Sequence, residues 1–82
     1  MRVASASVLP DGRYDAFVVD ATADPGGVPG AFHLELTIIA GPHKGDLVAV
    51  AARGLRRDEV DLMGVPATLV VADGRPAVHL EG

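Results

Sequence analysis

The sequence predicts one small all-β domain, folded as a five-stranded barrel. Three observations predict this class: one segment alternates strictly between apolar and polar residues, other segments are rich in β-branched residues, and turn-forming residues separate them. The chain has 82 residues, 49% of them hydrophobic, which fits a single globular domain over residues 1–82. Ala and Val supply much of the apolar content, so a core of small side chains is expected.

The first two predicted strands lie on either side of a loop. Residues 13–22 are rich in aromatic and β-branched side chains and follow a Pro-Asp-Gly turn signal. Residues 23–30 are rich in Gly and Pro and predict a mobile loop. The second strand, residues 31–40, alternates with period two, which predicts one buried face and one face open to solvent or ligand. The first face carries Phe32, Leu34, Leu36 and Ile38, and the second carries His33, Glu35 and Thr37.

The second half of the chain predicts three more strands. Residues 41–45 form a glycine-bounded hairpin turn, and residues 46–52 return as the third strand. Residues 53–64 mix apolar and charged side chains and predict a short helix or irregular helical turn. Residues 67–72 predict the fourth strand, Asp73-Gly74 a tight turn, and residues 75–80 the last strand.

The order of these elements favours a particular barrel. An OB-type fold is a five-stranded, partly open barrel, and its short helix commonly lies between the third and fourth strands, as predicted here. An SH3-like barrel is the alternative. A sandwich is disfavoured, because 82 residues provide few strands for two sheets.

Composition narrows the environment and the ligand class. The chain has no Cys, which excludes disulfides and thiolate chemistry and fits a reducing cytoplasm. No stretch is long and apolar enough to predict a membrane span, and no secretory signal is recognised, so no membrane partner is expected. The net charge of −4 argues against non-specific coating of nucleic acid but permits a local basic patch.

No motif of the sequence predicts catalysis. His33 and Glu35 share a strand face but lack further ligands at metal-binding spacing, so neither a metal nor another cofactor is predicted. Ser5 and Ser7 are not part of a Gly-x-Ser-x-Gly nucleophile motif. The glycines of residues 25–30 lack the Lys-Ser/Thr of a phosphate-binding loop. The chain is therefore predicted not to be an enzyme.

A binding surface is the positive prediction. In OB folds the ligand lies on the second and third strands and the loops beside them. Single-stranded nucleic acid binds there through aromatic stacking and cations, and Tyr14 is the expected stacking residue because Phe17 and Phe32 are expected to face the core. The candidate nucleic-acid-binding residues are Arg13, Tyr14, His33, Thr37, Lys44, Arg53 and Arg75.

Two short motifs carry a family resemblance. Residues 12–16, Gly-Arg-Tyr-Asp-Ala, and residues 39–45, Ile-Ala-Gly-Pro-His-Lys-Gly, resemble the Gly-x-Tyr-x-Ala strand and Ile-x-Gly-x-x-x-Gly turn of small OB-fold single-stranded DNA-binding proteins of phages and mobile elements. The resemblance covers the first three strands and implies an OB barrel that binds single-stranded DNA. Asp46 departs from it, since those proteins often have a basic residue there.

A second hypothesis needs no nucleic acid. The net charge is negative, aromatic residues are few, and residues 48–52 are apolar on both strand faces. Such a strand is either enclosed within a barrel or pairs with another chain. The alternative function is therefore a protein-interaction or self-assembly module, with a protein partner or a second copy of the chain as its ligand.

Overall fold

The computed structural model describes residues 4–55 and 59–81, and in this part the fold is mostly β. Six strands, one short 3-10 helix and one turn of α-helix follow each other along the chain. Their bounds are β1 Ala4–Ser5, the 3-10 helix Ala6–Val8, β2 Gly12–Ala23, β3 Phe32–Ile38, β4 Leu47–Ala52, α1 Glu59–Leu62, β5 Pro66–Ala72 and β6 Arg75–Leu80.

All six strands belong to one sheet, in the order β1-β4-β3-β2-β5-β6. β2 is the long central strand and pairs antiparallel with both β3 and β5. β4 and β6 extend the sheet on either side, again antiparallel to their neighbours. β1 is the exception, because it pairs parallel with β4, placing Ala4 opposite Val48 and Ser5 opposite Ala49. The all-β class predicted from the sequence is confirmed.

The sheet differs from the predicted barrel in two respects. It has six strands rather than five, because a two-residue strand is too short to show any alternation in the sequence. It is also open, since no pairing joins β4 to β6 among the described residues. The two strands nevertheless approach each other, and the 3-10 helix contacts both, so the sheet curves strongly.

The predicted helical segment is smaller than expected. α1 is a single turn, Glu59–Leu62, and residues 53–55 are not helical, while residues 56–58 lie outside the described part of the chain. Leu62 is fully buried and attaches the turn to the core. No described helix has the length and apolar character needed to cross a membrane.

The core lies against one face of the sheet, called the inner face here. On β3 the predicted alternation is confirmed, because Leu34, Leu36 and Ile38 are fully buried and Phe32 packs beside them. The N-terminal segment contributes Ala6 and Leu9, both buried, although no sequence pattern indicated it. The buried residues form one continuous cluster, in which Ala and Val supply eight of the fourteen members and Leu and Ile supply the rest.

The prediction that Phe17 faces the core is wrong. Ala16 and Val18 are the buried residues of this part of β2, so the period of two turns Phe17 to the opposite, outer face, where it is 37% exposed. The pairing between β2 and β3 then shifts at Val18 and Asp20, which is the mark of a β-bulge. The bulge leaves Val19 exposed as well.

Candidate ligand-binding face

The OB-type ligand was predicted to lie on the second and third predicted strands, which are β3 and β4, and the outer face of these two strands continues onto β2. Its central row contains Phe17, Thr37 and Leu47, which stand opposite each other on the three strands. Residues paired in this way have Cβ atoms about 4.5–5.5 Å apart, so their side chains form one continuous surface. Thr37 and Leu47 are half-buried, and Phe17 presents its ring to solvent.

The next row of this face is acidic. Glu35 pairs with Asp20 of β2 on one side and Ala49 of β4 on the other. Both carboxylates are half-buried and share the outer face. Negative charge in this row disfavours the approach of a phosphate group.

Beyond that row, His33 is tied to the loop between β2 and β3. Its Nε2 lies 3.2 Å from Oδ1 of Asp24, whose other oxygen accepts a hydrogen bond from the backbone N–H of Gly26 at 3.1 Å. The backbone of Gly30 accepts a further bond from the N–H of Leu55 at 3.0 Å. The loop predicted as mobile is therefore held at several points.

Gly30 is required at its position in this loop. Its φ is +77°, and a Cβ placed there would lie 2.9 Å from the carbonyl oxygen of Leu55. Any side chain would therefore strain the backbone and displace the segment after β4. Between this loop and the ends of β3 and β4 is a cavity of about 150 Å³, whose lining includes His33 and Arg53.

Tyr14 lies at the other end of β2 and on its inner face. Its side chain is half-buried against the core, and its hydroxyl donates a hydrogen bond to the carbonyl of Pro10. The ring meets His43 edge to face, with centroids 5.8 Å apart and planes inclined at 76°. His43 Nδ1 lies 3.1 Å from Oδ2 of Asp46. The aromatic ring predicted to stack on a base is thus engaged in packing.

The turn between β5 and β6 is fixed by a carboxylate. Asp11 accepts hydrogen bonds from the backbone N–H groups of Asp73 and Gly74, at 3.0 and 3.1 Å. Asp73 and Gly74 have φ values of +53° and +73°, as the two central residues of a type I′ hairpin turn do. The predicted Asp-Gly turn is therefore present. Arg75 follows it and is exposed at the start of β6.

The seven predicted binding residues do not form one site. His33 and Arg53 lie at one end of the sheet, whereas Tyr14, Arg13, Lys44 and Arg75 belong to the other end. Tyr14 and Thr22, the partner of His33, are eight residues apart on β2, which corresponds to roughly 26 Å in an extended strand. Thr37 lies between the two groups, next to Phe17.

The cations near this face are exposed. Both ion pairs found in residues 4–55 and 59–81 are His–Asp pairs, and neither involves Arg13, Lys44, Arg53 or Arg75. The same part of the chain contains no cluster of three or more His, Asp or Glu side chains arranged to hold a metal ion.

Phe17 is the surface residue that sequence reasoning missed. The sequence did contain a signal. Arg13, Asp15 and Phe17 are spaced two residues apart on one strand, so Phe17 lies on the same face as two charged residues that favour solvent. Comparison with protein-family models, curated proteins and solved structures finds no significant match to this chain. The face is therefore interpreted from its own chemistry.

Proposed function

We propose that this chain is a small OB-type binding module that takes single-stranded nucleic acid across the outer face of β2, β3 and β4. The strand order supports the OB type. β2, β3 and β4 form an antiparallel meander, a helical turn follows, and β5 returns to the free side of β2 and pairs with β6. The strong curvature and the opening between β4 and β6 are compatible with a partly open barrel.

The exposed ring of Phe17 carries the functional proposal. It stands in the middle of the outer face beside Thr37, whose small side chain leaves room for a flat base to approach. Stacking of one base on an aromatic side chain contributes about 1–3 kcal/mol and tolerates any base. Phe17 thus takes the role that the sequence assigned to Tyr14.

Two cations accompany this platform. Arg13 precedes Phe17 by four residues on the same face of β2, and Lys44 is exposed in the turn that follows β3. Asp15 and Glu35 border Phe17. The phosphates are therefore expected to lie near Arg13 and Lys44 and to avoid the N-terminal part of β3, where Glu35 lies. The mixed charge predicts weak binding that depends on salt.

The test is fluorescence anisotropy of a labelled, mixed-sequence single-stranded oligonucleotide titrated with the protein at low and moderate salt. Saturable binding that weakens as salt rises is expected, because phosphate contacts release counterions. Absence of binding at low salt, where attraction is strongest, would refute the proposal.

Variants of Phe17 separate stacking from general apolar contact. We expect Phe17→Ala to weaken oligonucleotide binding by about 5- to 150-fold, equivalent to the loss of one stacked base. Phe17→Leu keeps an apolar side chain without an aromatic face and should weaken binding nearly as much. Phe17→Trp should preserve or improve it. Equal affinity of the Leu and Trp variants would rule out stacking on this residue.

A protein partner is the second candidate, favoured by the outer side of β4. Leu47, Ala49 and Ala51 are apolar, and they extend the exposed surface formed by Phe17 and Val19. Apolar surface of this kind is typical of protein contacts. Sedimentation over a range of concentrations tests self-assembly, and a strictly monomeric species at high concentration would exclude a second copy as the partner.

A further inference from the structure

The two ends of the curved sheet approach each other without pairing. Between β4 and β6 is an opening of about 310 Å³, called the seam here. Most of its side chains are small, so a peptide backbone can approach both strands closely. The residues that line the seam are Ala51, Ala52, Arg53, Pro76, Ala77 and Val78.

The N-terminal segment occupies the stretch beside the seam. β1 pairs parallel with β4 at Val48 and Ala49, and the 3-10 helix that follows contacts both β4 and β6. Beyond Ala49, no described residue pairs with the outer edge of β4. Residues 50–52 therefore have no paired strand on this side among the described residues.

We propose that the seam binds an extended, acidic peptide segment of a partner protein as an added strand, parallel to β4 and in line with β1. Strand addition to a sheet edge supplies backbone hydrogen bonds, while the neighbouring side chains select the sequence. The added strand is assigned the parallel direction because β1, the strand already paired with this edge of β4, runs parallel to it. Pro76 lacks a backbone N–H, so the added strand pairs with β4 rather than with this part of β6.

The positive charge of Arg53 determines which end of the bound peptide is acidic. Arg53 is the one charged residue among the six that line the seam, it is exposed, and it forms no ion pair with a described carboxylate. It follows β4 directly. A strand parallel to β4 therefore brings its carboxyl-terminal residues to Arg53, where Glu, Asp or a terminal carboxylate is stabilised.

The seam adjoins the outer face of β4 at Ala51, whereas the proposed nucleic-acid surface has its centre at Phe17 on β2. A direct test uses a fluorescein-labelled synthetic peptide of alternating Val and Thr that ends in two Glu residues, titrated with the full chain. We expect saturable binding, about tenfold tighter than for the same peptide ending in two Lys residues, because the charge at Arg53 then repels it. Methylation of alternate backbone nitrogens should remove binding, since strand addition needs those N–H groups.

Two pairs of variants locate the peptide. Ala77 is exposed, so Ala77→Trp should fill the seam without disturbing the core and lower peptide affinity by at least about tenfold. Val60→Trp places the same indole on an exposed position of α1 and should leave affinity unchanged. Arg53→Met should weaken binding, whereas Arg53→Lys should retain most of it. Thermal unfolding of each variant confirms that the fold is intact.

The outcomes separate this inference from the proposed function. Equal affinity for the Glu-ended and Lys-ended peptides, or unchanged affinity in Ala77→Trp, would refute peptide binding at the seam. If Ala77→Trp abolishes oligonucleotide binding instead, the seam belongs to a nucleic-acid surface and the peptide assignment is wrong. Retained oligonucleotide binding in Ala77→Trp, with loss of the peptide, would support both surfaces independently.

Discussion

On its inner face β3 carries Leu34, Leu36 and Ile38, all fully buried, whereas its outer face carries His33, Glu35 and Thr37, which are exposed or half-buried. The same backbone holds both sets, and alternate residues serve different purposes. Substitutions on the inner face are expected to change stability, because they remove packed apolar atoms. Substitutions on the outer face are expected to change recognition and to leave the fold almost intact.

The largest effect is expected on the inner face, at Leu34. Leu34→Ala removes a fully buried side chain from the centre of the core and should lower the free energy of unfolding by about 2–5 kcal/mol. Urea denaturation measures the change. Thr37→Ala, on the outer face of the same strand, is the matched control, and a similar loss in both variants would contradict the distinction between the two faces.

Tyr14 provides an intermediate test, because sequence and structure assign it to different surfaces. Tyr14→Phe keeps the packed ring and removes the hydrogen bond to the carbonyl of Pro10, so stability should fall by about 0.5–1.5 kcal/mol. Oligonucleotide affinity should not change. Tyr14→Ala is less informative, since it also leaves a gap in the core. A clear loss of affinity in Tyr14→Phe, with stability unchanged, would return this residue to the binding site.

The smallest effect is expected at Glu35, on the outer face. Glu35→Gln removes a negative charge close to the Phe17 platform without changing the shape of the side chain. Removing one repulsive charge roughly 8 Å from a phosphate should raise oligonucleotide affinity about two- to threefold at low salt. The gain should vanish at high salt, where exposed charges are screened. A gain that persists in high salt would indicate a cause other than electrostatics.

Local patterns explain how much of this molecule could be predicted. The alternation of β3 and the Asp-Gly turn depend on neighbouring residues, and both are found where the sequence placed them. β1 was missed because two residues show no period, and its partner β4 is more than forty positions away in the chain. The seam likewise depends on the approach of β4 and β6, which are distant in the sequence, so no local sequence pattern predicts it.

The direction in which the aromatic side chains face was predicted less well, for a related reason. Aromatic residues are common in cores, so Phe17 was assigned to the core although its parity matched that of charged neighbours. Tyr14 was assigned to the surface by analogy with base-stacking residues, whereas its ring packs against His43 and the core. The alternation of side chains along the strand predicts which of these rings is exposed better than the residue type does.

The short parallel strand β1 also has a consequence for how copies of this chain interact as they fold. Ala4 and Ser5 cover part of the edge of β4, and Ala6 and Leu9 anchor that cover in the core. Were the segment displaced, β4 would present an uncovered, Ala- and Val-rich edge, which is the template that aggregation and domain swapping exploit. β1 therefore shields the first part of the β4 edge, at Val48 and Ala49, from pairing with another chain.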